Sequence, residues 1–324
     1  MRALVFLGIL LSLPIGAANL LLIESYHAEY PWDQSYKAGI MSILGNEHQF
    51  ETFALDTKRL PKEQFQIQAN KAWQRYLELK PDLVFLADDN ALMLLHERFS
   101  QTQTPVVYLG INGNPRDYRI KHTTNITGVL ERPLFKRSLL MAQAMLPTPP
   151  PHKFLLLFDS GYTSDTAVAS IKKLNQNLMI GNNQIDIEQH QKFSSWQASV
   201  SSARERGYDA VFVALYQMLQ DDKQQIVDEL QVARWTHENA TVPHFGFWHF
   251  SVGSEGNIGG YILDGYKHGC IAGTIAKQIL AGIKPATIFP KMDTSGAYLF
   301  SESGLTKWQL KLPERVKQQA ELVD

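Results

Sequence analysis

Six short stretches of this chain gather groups able to hold a small molecule. They are Ser25-Tyr26-His27-Ala28-Glu29-Tyr30-Pro31-Trp32, Asp88-Asp89-Asn90, Asn112-Gly113-Asn114, Asp159-Ser160-Gly161-Tyr162-Thr163, Tyr216-Gln217 and Trp248-His249. Aromatic faces stack on flat groups, and amides, hydroxyls and carboxylates fix orientation by hydrogen bonds, which is the lining of a recognition cleft. The candidate ligand-binding residues are Ser25, Tyr26, His27, Trp32, Asp88, Asn90, Asn112, Asp159, Tyr162, Tyr216 and Trp248. Polar loops and core-capping Tyr or Trp produce similar patterns, so each position is weighed singly.

Catalytic signatures are weak by comparison. There is no Gly-x-Ser-x-Gly elbow, and Cys270 falls in a helical pattern, where a buried thiol is the expectation. His237, His244, His249 and His268 are irregularly spaced without a His-Glu-x-x-His pattern, so no metal site is expected. The glycines from Gly253 to Gly260 do not follow a strand and open a helix as a dinucleotide cradle must, and no cofactor is expected. Asp88 and Asp89 are adjacent and point in different directions, which disfavours an acid–base pair. The sequence therefore predicts binding without chemistry.

Those stretches gain meaning from the elements before them. Strands are predicted at Leu20–Ser25, Phe50–Leu55, Asp82–Ala87 and Pro105–Ile111, with helices over Trp32–Glu47, Pro61–Leu79 and Asn90–Phe99. Thr123–Pro133 breaks the rhythm, and a helix follows from Leu134 to Met145. After Pro147-Thr148-Pro149-Pro150-Pro151 the alternation restarts, with strands at Lys153–Asp159, Gln184–Glu188, Asp209–Leu215 and Val242–Phe247. Helices over Ser164–Leu178, Trp196–Arg206 and Asp222–His237 separate them. Near-continuous apolar strands between helices indicate a parallel sheet covered on both faces. Two such runs imply an α/β protein of two doubly wound parallel-sheet lobes.

Ile258–Leu263, a helix from Tyr266 to Leu280, and Pro285–Pro290 read as further crossings that form a multi-strand hinge. A strand near Ala297–Phe300 and short helices around Glu302–Trp308 and Pro313–Leu322 complete the tail. The expected division is residues 19–128 with 262–284 in one lobe, and 129–261 with 285–324 in the other. In open parallel sheets ligands sit at the carboxyl ends of strands, which is where the candidates fall.

The 324 residues are 44% apolar and 19% charged, enough for sizeable cores. A formal net charge of −1 disfavours a nucleic-acid partner, which would need a basic face. Met1–Arg2, the apolar run from Ala3 to Leu13 and the small residues up to Ala18 read as a secretory signal peptide over 1–18. That apolar run is too short to cross a bilayer, which needs about 20 residues. A single Cys permits no intramolecular disulfide, and none lies near the cleavage site to take a lipid. The expectation is a periplasmic protein without a lipid anchor.

Two stretches carry a resemblance. One runs Gly259-Gly260-Tyr261-Ile262-Leu263-Asp264-Gly265-Tyr266-Lys267-His268-Gly269 and on through Ala276-Lys277-Gln278-Ile279-Leu280-Ala281-Gly282-Ile283-Lys284-Pro285-Ala286. The other comprises Ser303-Gly304-Leu305-Thr306 and Leu312-Pro313-Glu314-Arg315-Val316-Lys317-Gln318-Gln319-Ala320. Both resemble the ABC-transporter substrate-binding family of the type I periplasmic-binding fold, which includes tryptophan- and tyrosine-binding lipoproteins. Glu24-Ser25-Tyr26-His27 with Tyr30-Pro31-Trp32 resembles a branch found as free binding proteins and as sensory ectodomains.

The chain departs from the family in lacking the lipid-accepting Cys and the Asn-Pro start of the loop Asp159–Thr163. The resemblance implies a small solute, aromatic or amino-acid-like, held between the lobes. Hydroxyls and helix N-terminal amides would hold a carboxylate, and Asp88 or Asp159 an amine. The implied partner is a membrane ABC permease; the alternative is a sensor kinase, and an α/β enzyme comes third.

Overall fold

The computed structural model describes residues 17–115, 118, 120, 123–131, 134–174 and 179–324. The expected signal peptide lies outside these except for residues 17 and 18, as does the end of the helix expected to reach Leu178.

The first half alternates β1 (Asn19–Glu24), α1 (Pro31–Leu44), β2 (Gln49–Ala54), α2 (Phe65–Leu79), β3 (Leu83–Ala87), α3 (Asp88–Ser100), β4 (Val106–Ile111) and β5 (Ile126–Leu130). The second alternates α4 (Phe135–Met145), β6 (Lys153–Asp159), α5 (Tyr162–Leu174), β7 (Met179–Ile180), β8 (Asn183–His190), α6 (Phe193–Ser201), β9 (Ala210–Val213), α7 (Glu229–Asn239) and β10 (His244–Gly246). The remainder holds β11 (Gly259–Leu263), α8 (Gly265–Leu280), β12 (Lys291–Met292), β13 (Gly296–Ser301), α9 (Glu302–Lys307), α10 (Glu314–Lys317) and β14 (Glu321–Val323).

The first sheet runs β12-β5-β4-β3-β1-β2, entirely parallel. The second runs β10-β9-β6-β8-β7, parallel except for β7. A third, smaller sheet runs β11-β13-β14. In the first sheet β1 lies inside, with β2 on one side and β3 and β4 on the other; in the second β6 lies inside, with β8 and β7 on one side and β9 and β10 on the other. That winding reverses next to β1 and β6 and opens a crevice at the strands' carboxyl ends.

Period-2 geometry explains why these strands are apolar throughout. Leu21, Ile23, Val84 and Leu86 pack under α2 and α3 with Ala69, Leu92 and Phe99. Leu20, Leu22 and Phe85 face the other way, toward Tyr36 and Ile40 of α1 and Ala272 and Ile275 of α8.

The α1–α8 crossing is made backbone to backbone. A Cβ on Gly39 would lie 2.1 Å from Tyr266 O, and one on Gly269 would lie 2.0 Å from Tyr36 O. Although α8 comes late in the chain, it is thus seated on the first lobe. His268 braces it there: Nε2 accepts from Gly110 N (2.8 Å) and Nδ1 donates to Asp293 Oδ2 (2.9 Å).

Several elements differ from the sequence expectation. Thr123–Pro133 contains β5 (Ile126–Leu130), which places residues 129 and 130 in the first sheet. Pro285–Pro290 is not a crossing strand; Pro285–Thr287 is a single 3-10 turn, and the chain re-enters the first sheet as β12. The helix expected from Asp222 starts at Glu229, because Asp221 Oδ1 accepts from Lys223 N and Gln225 N (both 2.9 Å) and holds a turn. Asp228 then caps the helix through Gln231 N (3.0 Å). Asp88 and Asp89, expected to precede a helix that starts at Asn90, already belong to the first turn of α3. The helix expected over Pro313–Leu322 stops at Lys317, and the chain ends as β14 beside β13.

Candidate functional site

Because the strands are parallel, the segments that leave their carboxyl ends meet along one seam between the lobes. The first lobe contributes residues after β1 (Tyr26, Tyr30), β2 (Thr57, Lys58), β3 (Asp88, Asn90), β4 (Asn112) and β5 (Glu131). The second contributes residues after β6 (Asp159–Ser164), β9 (Leu215, Gln217) and β10 (Trp248, Phe250).

Two small chambers lie in the seam. The inner one, about 20 Å³, is walled by Tyr26, Tyr30, Trp32, Lys58, Asp88, Asn112, Glu131, Thr163, Leu215, Trp248 and Phe250. The other, about 30 Å³, lies between Tyr26, Thr57, Lys58, Asn90 and Asp159, Tyr162, Thr163, Gln217. Each has room for about one water. A groove of about 940 Å³, lined by His27, Lys58, Arg59, Gln217 and Glu229 among others, shares Lys58 with both.

Among the described residues four side-chain bonds cross the seam. Trp248 Nε1 donates to Glu131 Oε1 at 2.6 Å, and the Tyr26 hydroxyl meets Thr163 Oγ1 at 3.2 Å. The Tyr162 hydroxyl donates to that of Tyr118 at 3.4 Å, and Ser170 Oγ donates to Asn112 O at 3.4 Å.

Burial dominates the electrostatics. It raises the Asp88 carboxyl far above the usual range, and the negative charges of Asp33, Glu131 and Asp89 push it further. Asp33 is raised likewise by burial and then by Glu24. Glu131 is pushed up to about 8 by burial, against the hydrogen bonds from Trp248 and Asn112. Asp89 is raised by burial although it accepts from Asn112 N, Gly113 N and the Tyr118 hydroxyl (3.1, 2.9 and 2.9 Å).

Asp88 is the unusual one. Its backbone sits at φ 66, left-handed for a non-glycine residue, and its Oδ2 is buried without a hydrogen-bond partner. Gly110 makes room for it, since a Cβ there would lie 2.6 Å from Asp88 Oδ1. Opposite stands Lys58, 7% exposed, with Nζ 4.3 and 4.1 Å from the ring centroids of Tyr26 and Tyr30. The ammonium donates to the Tyr30 hydroxyl at 2.8 Å. Burial lowers its pKa, offset by the charges of Glu229, Asp159, Asp88 and Asp33.

Of the residues expected at the site, Tyr26, Trp32, Asp88, Asn90, Asn112, Asp159, Tyr162 and Trp248 wall the chambers. Asp159 is tied up there, accepting from Gly161 N (2.8 Å), Ser164 Oγ (2.6 Å) and Met218 N (3.0 Å). His27 lies in the outer groove. Ser25 and Tyr216 line neither chamber. The Ser25 hydroxyl donates to Ala87 O (2.6 Å) and accepts from Ala91 N (2.8 Å), while Tyr216 packs in the second-lobe core near Trp196. Lys58, Tyr30, Glu131 and Phe250 were not among the expected residues. Applying the strand-end rule to β2 as well would have found Lys58.

No family model and no curated protein matches this chain. Solved structures do. An ABC domain from Streptococcus pneumonia, in complex with L-Trp, matches with a TM-score of 0.72 at 16% identity, over 95% of this chain and 100% of its own. A conserved domain protein from Vibrio cholerae matches at 0.71 and 13% identity with the same coverage. A substrate-binding protein with adhesive properties from Clostridium difficile, in a ligand-free, open structure, matches at 0.66 and 12%, again over 95% and 100%. At these identities the likeness is one of fold: two α/β lobes, as the sequence pattern predicts, of the type I periplasmic-binding architecture that the resemblance implies.

Proposed function

We propose that this protein is an exported solute-binding protein that closes its two lobes on a small solute and delivers it to a membrane ABC permease. One observation carries the reading: the carboxyl ends of both sheets converge on a seam walled by Tyr26, Tyr30, Trp32, Trp248 and Phe250, with Asp88, Asn90 and Asn112 between them. Such a seam binds flat or apolar bodies and orients them by a few polar contacts. The aromatic walls favour an aromatic or amino-acid-like solute, and the L-Trp complex of the Streptococcus pneumonia structure is in keeping with that class.

The groups present serve recognition and not turnover. Asp159 and Asp89 are held by hydrogen bonds, and His268 is committed to Gly110 and Asp293. Among the described residues no helix is long and apolar enough to cross a membrane.

The test is a thermal-shift and calorimetric screen of amino acids, amines, sugars and nucleosides. A true solute at a hundredfold excess over its Kd stabilises the fold by about 2.7 kcal/mol. No shift with any class would overturn the reading. Recovery of a permease or of a sensor kinase with the closed protein separates transport from signalling. A mature N-terminus at Asn19 in protein recovered from the host tests export.

A further inference from the structure

We propose that Lys58 is a built-in plug: its ammonium occupies a cation seat between Tyr26 and Tyr30, which an organic ammonium group of the solute takes over, bonded to Asp88. The proposal rests on the solute-binding reading and names the chemistry of the group bound.

A buried ammonium flanked by two tyrosine rings at 4.3 and 4.1 Å is a cation–π arrangement, and such seats recognise ligand ammonium groups as readily as lysines. Among the described residues the three N–H donors of Lys58 find one hydrogen-bond acceptor, the Tyr30 hydroxyl. In the same inner chamber, Asp88 Oδ2 is buried and, among the described residues, lacks a donor. The seat thus holds a cation with spare donors and a carboxylate oxygen with a spare lone pair. A solute ammonium placed between the rings and Asp88 would satisfy both walls, as Lys58, tethered from the β2 loop, does not.

Space requires the exchange. A chamber of about 20 Å³ does not admit an organic amine while Lys58 fills the seat. The lysine has a way out, because its side chain borders both chambers and the outer groove. Glu229 also lines that groove, and its negative charge favours the ammonium. The loop behind it stays put: Thr57 N and Oγ1 both donate to Ser25 O, at 2.9 and 2.8 Å. Only the side chain needs to swing outward.

The test compares Lys58→Met and Lys58→Gln with wild type in calorimetric titrations. The probes are phenethylammonium, choline and putrescine, with phenylacetate and phenethyl alcohol as the anionic and neutral counterparts. Removing an internal competitor should tighten ammonium binding about tenfold or more in both variants, and Asp88→Asn should weaken it by a similar factor.

The opposite result, an anionic probe binding wild type and losing affinity in both Lys58 variants, would make Lys58 a ligand contact and sink the plug. Unchanged ammonium affinity in both variants would do the same, as would failure of every ammonium probe. In those cases a shift with another solute class leaves the binding-protein reading standing; no shift with any class removes that reading too.

Discussion

Trp248→Phe tests the seam at its shortest cross-lobe bond. The substitution keeps a ring against Phe247 and Phe250, 5.9 and 6.4 Å away, and removes the indole N–H that donates to Glu131 Oε1 at 2.6 Å. The loss depends on the charge of Glu131, whose pKa is pushed up from 4.5 to about 8. Near pH 6 the carboxyl is neutral in the folded protein, so a neutral hydrogen bond worth about 1 kcal/mol is lost. Near pH 9 it is a buried carboxylate, and a bond to a charged acceptor, about 1.5–3 kcal/mol, is lost. Wild type itself carries the matching slope. The folded form keeps a proton that the unfolded chain releases, so this residue's contribution is full below pH 4.5 and disappears as pH rises through about 8. Urea denaturation of both proteins at pH 6 and pH 9 measures the difference. A penalty equal at the two pH values, or absent at both, refutes the charge assignment and with it the account of the seam.

Three further outcomes are expected. His244 is buried, its pKa is lowered from 6.5 to about 4, and its Nε2 has no hydrogen-bond partner; its contribution is present above pH 6.5 and lost as pH falls through about 4. That loss approaches roughly 3 kcal/mol, so denaturation of His244→Asn should show a correspondingly flatter acid limb. Gly269→Ala would place a Cβ 2.0 Å from Tyr36 O and force α1 and α8 apart by about 1 Å, costing about 1–3 kcal/mol or more. Its control is Gly207→Ala, at φ 78 with nothing within 4 Å, where about 1 kcal/mol of backbone strain is the whole effect in chemical denaturation. Ser25→Ala strands Ala91 N and the Ala87 carbonyl and should cost about 1–3 kcal/mol, with solute affinity unchanged by calorimetry because Ser25 borders neither chamber.

The legible part of the site followed from one rule, that parallel strands deliver their exits to a common edge. The rule brought Tyr26, Trp32, Asp88, Asn112, Asp159 and Trp248 to the seam. It failed where side-chain direction matters: Ser25 and Tyr26 are neighbours on one exit, and only one of them can face the seam. β2 is a half-exposed edge strand in which Gln49–Ala54 lacks the apolar run of β1 and β3, so its exit, with Lys58, stands out less. Glu131 was hidden differently. Gly128 makes Ile126–Leu130 read as a break, yet that glycine is what lets β5 lie beside β4, since a Cβ there would sit 2.0 Å from Tyr108 O.

Where the lobes can part also follows from unequal bonding. Within the first lobe α8 is locked by backbone contact with α1 and by the His268 bonds to Gly110 and Asp293. Asp293 extends the lock along the connecting chain, donating its N–H to Leu130 O (3.1 Å) and accepting from Ser295 N (2.8 Å). Across the seam three of the four side-chain bonds are 3.2–3.4 Å long, and the Tyr26–Thr163 pair joins two neutral hydroxyls. Long bonds between neutral groups are the cheapest to exchange for water. If the lobes part as proposed, opening is expected to begin at Tyr26, Tyr118 and Tyr162 and to leave Trp248–Glu131 until last. The first residue that this order of events frees is Lys58, packed on the Tyr26 ring, which is the sequence required if a solute is to take its place.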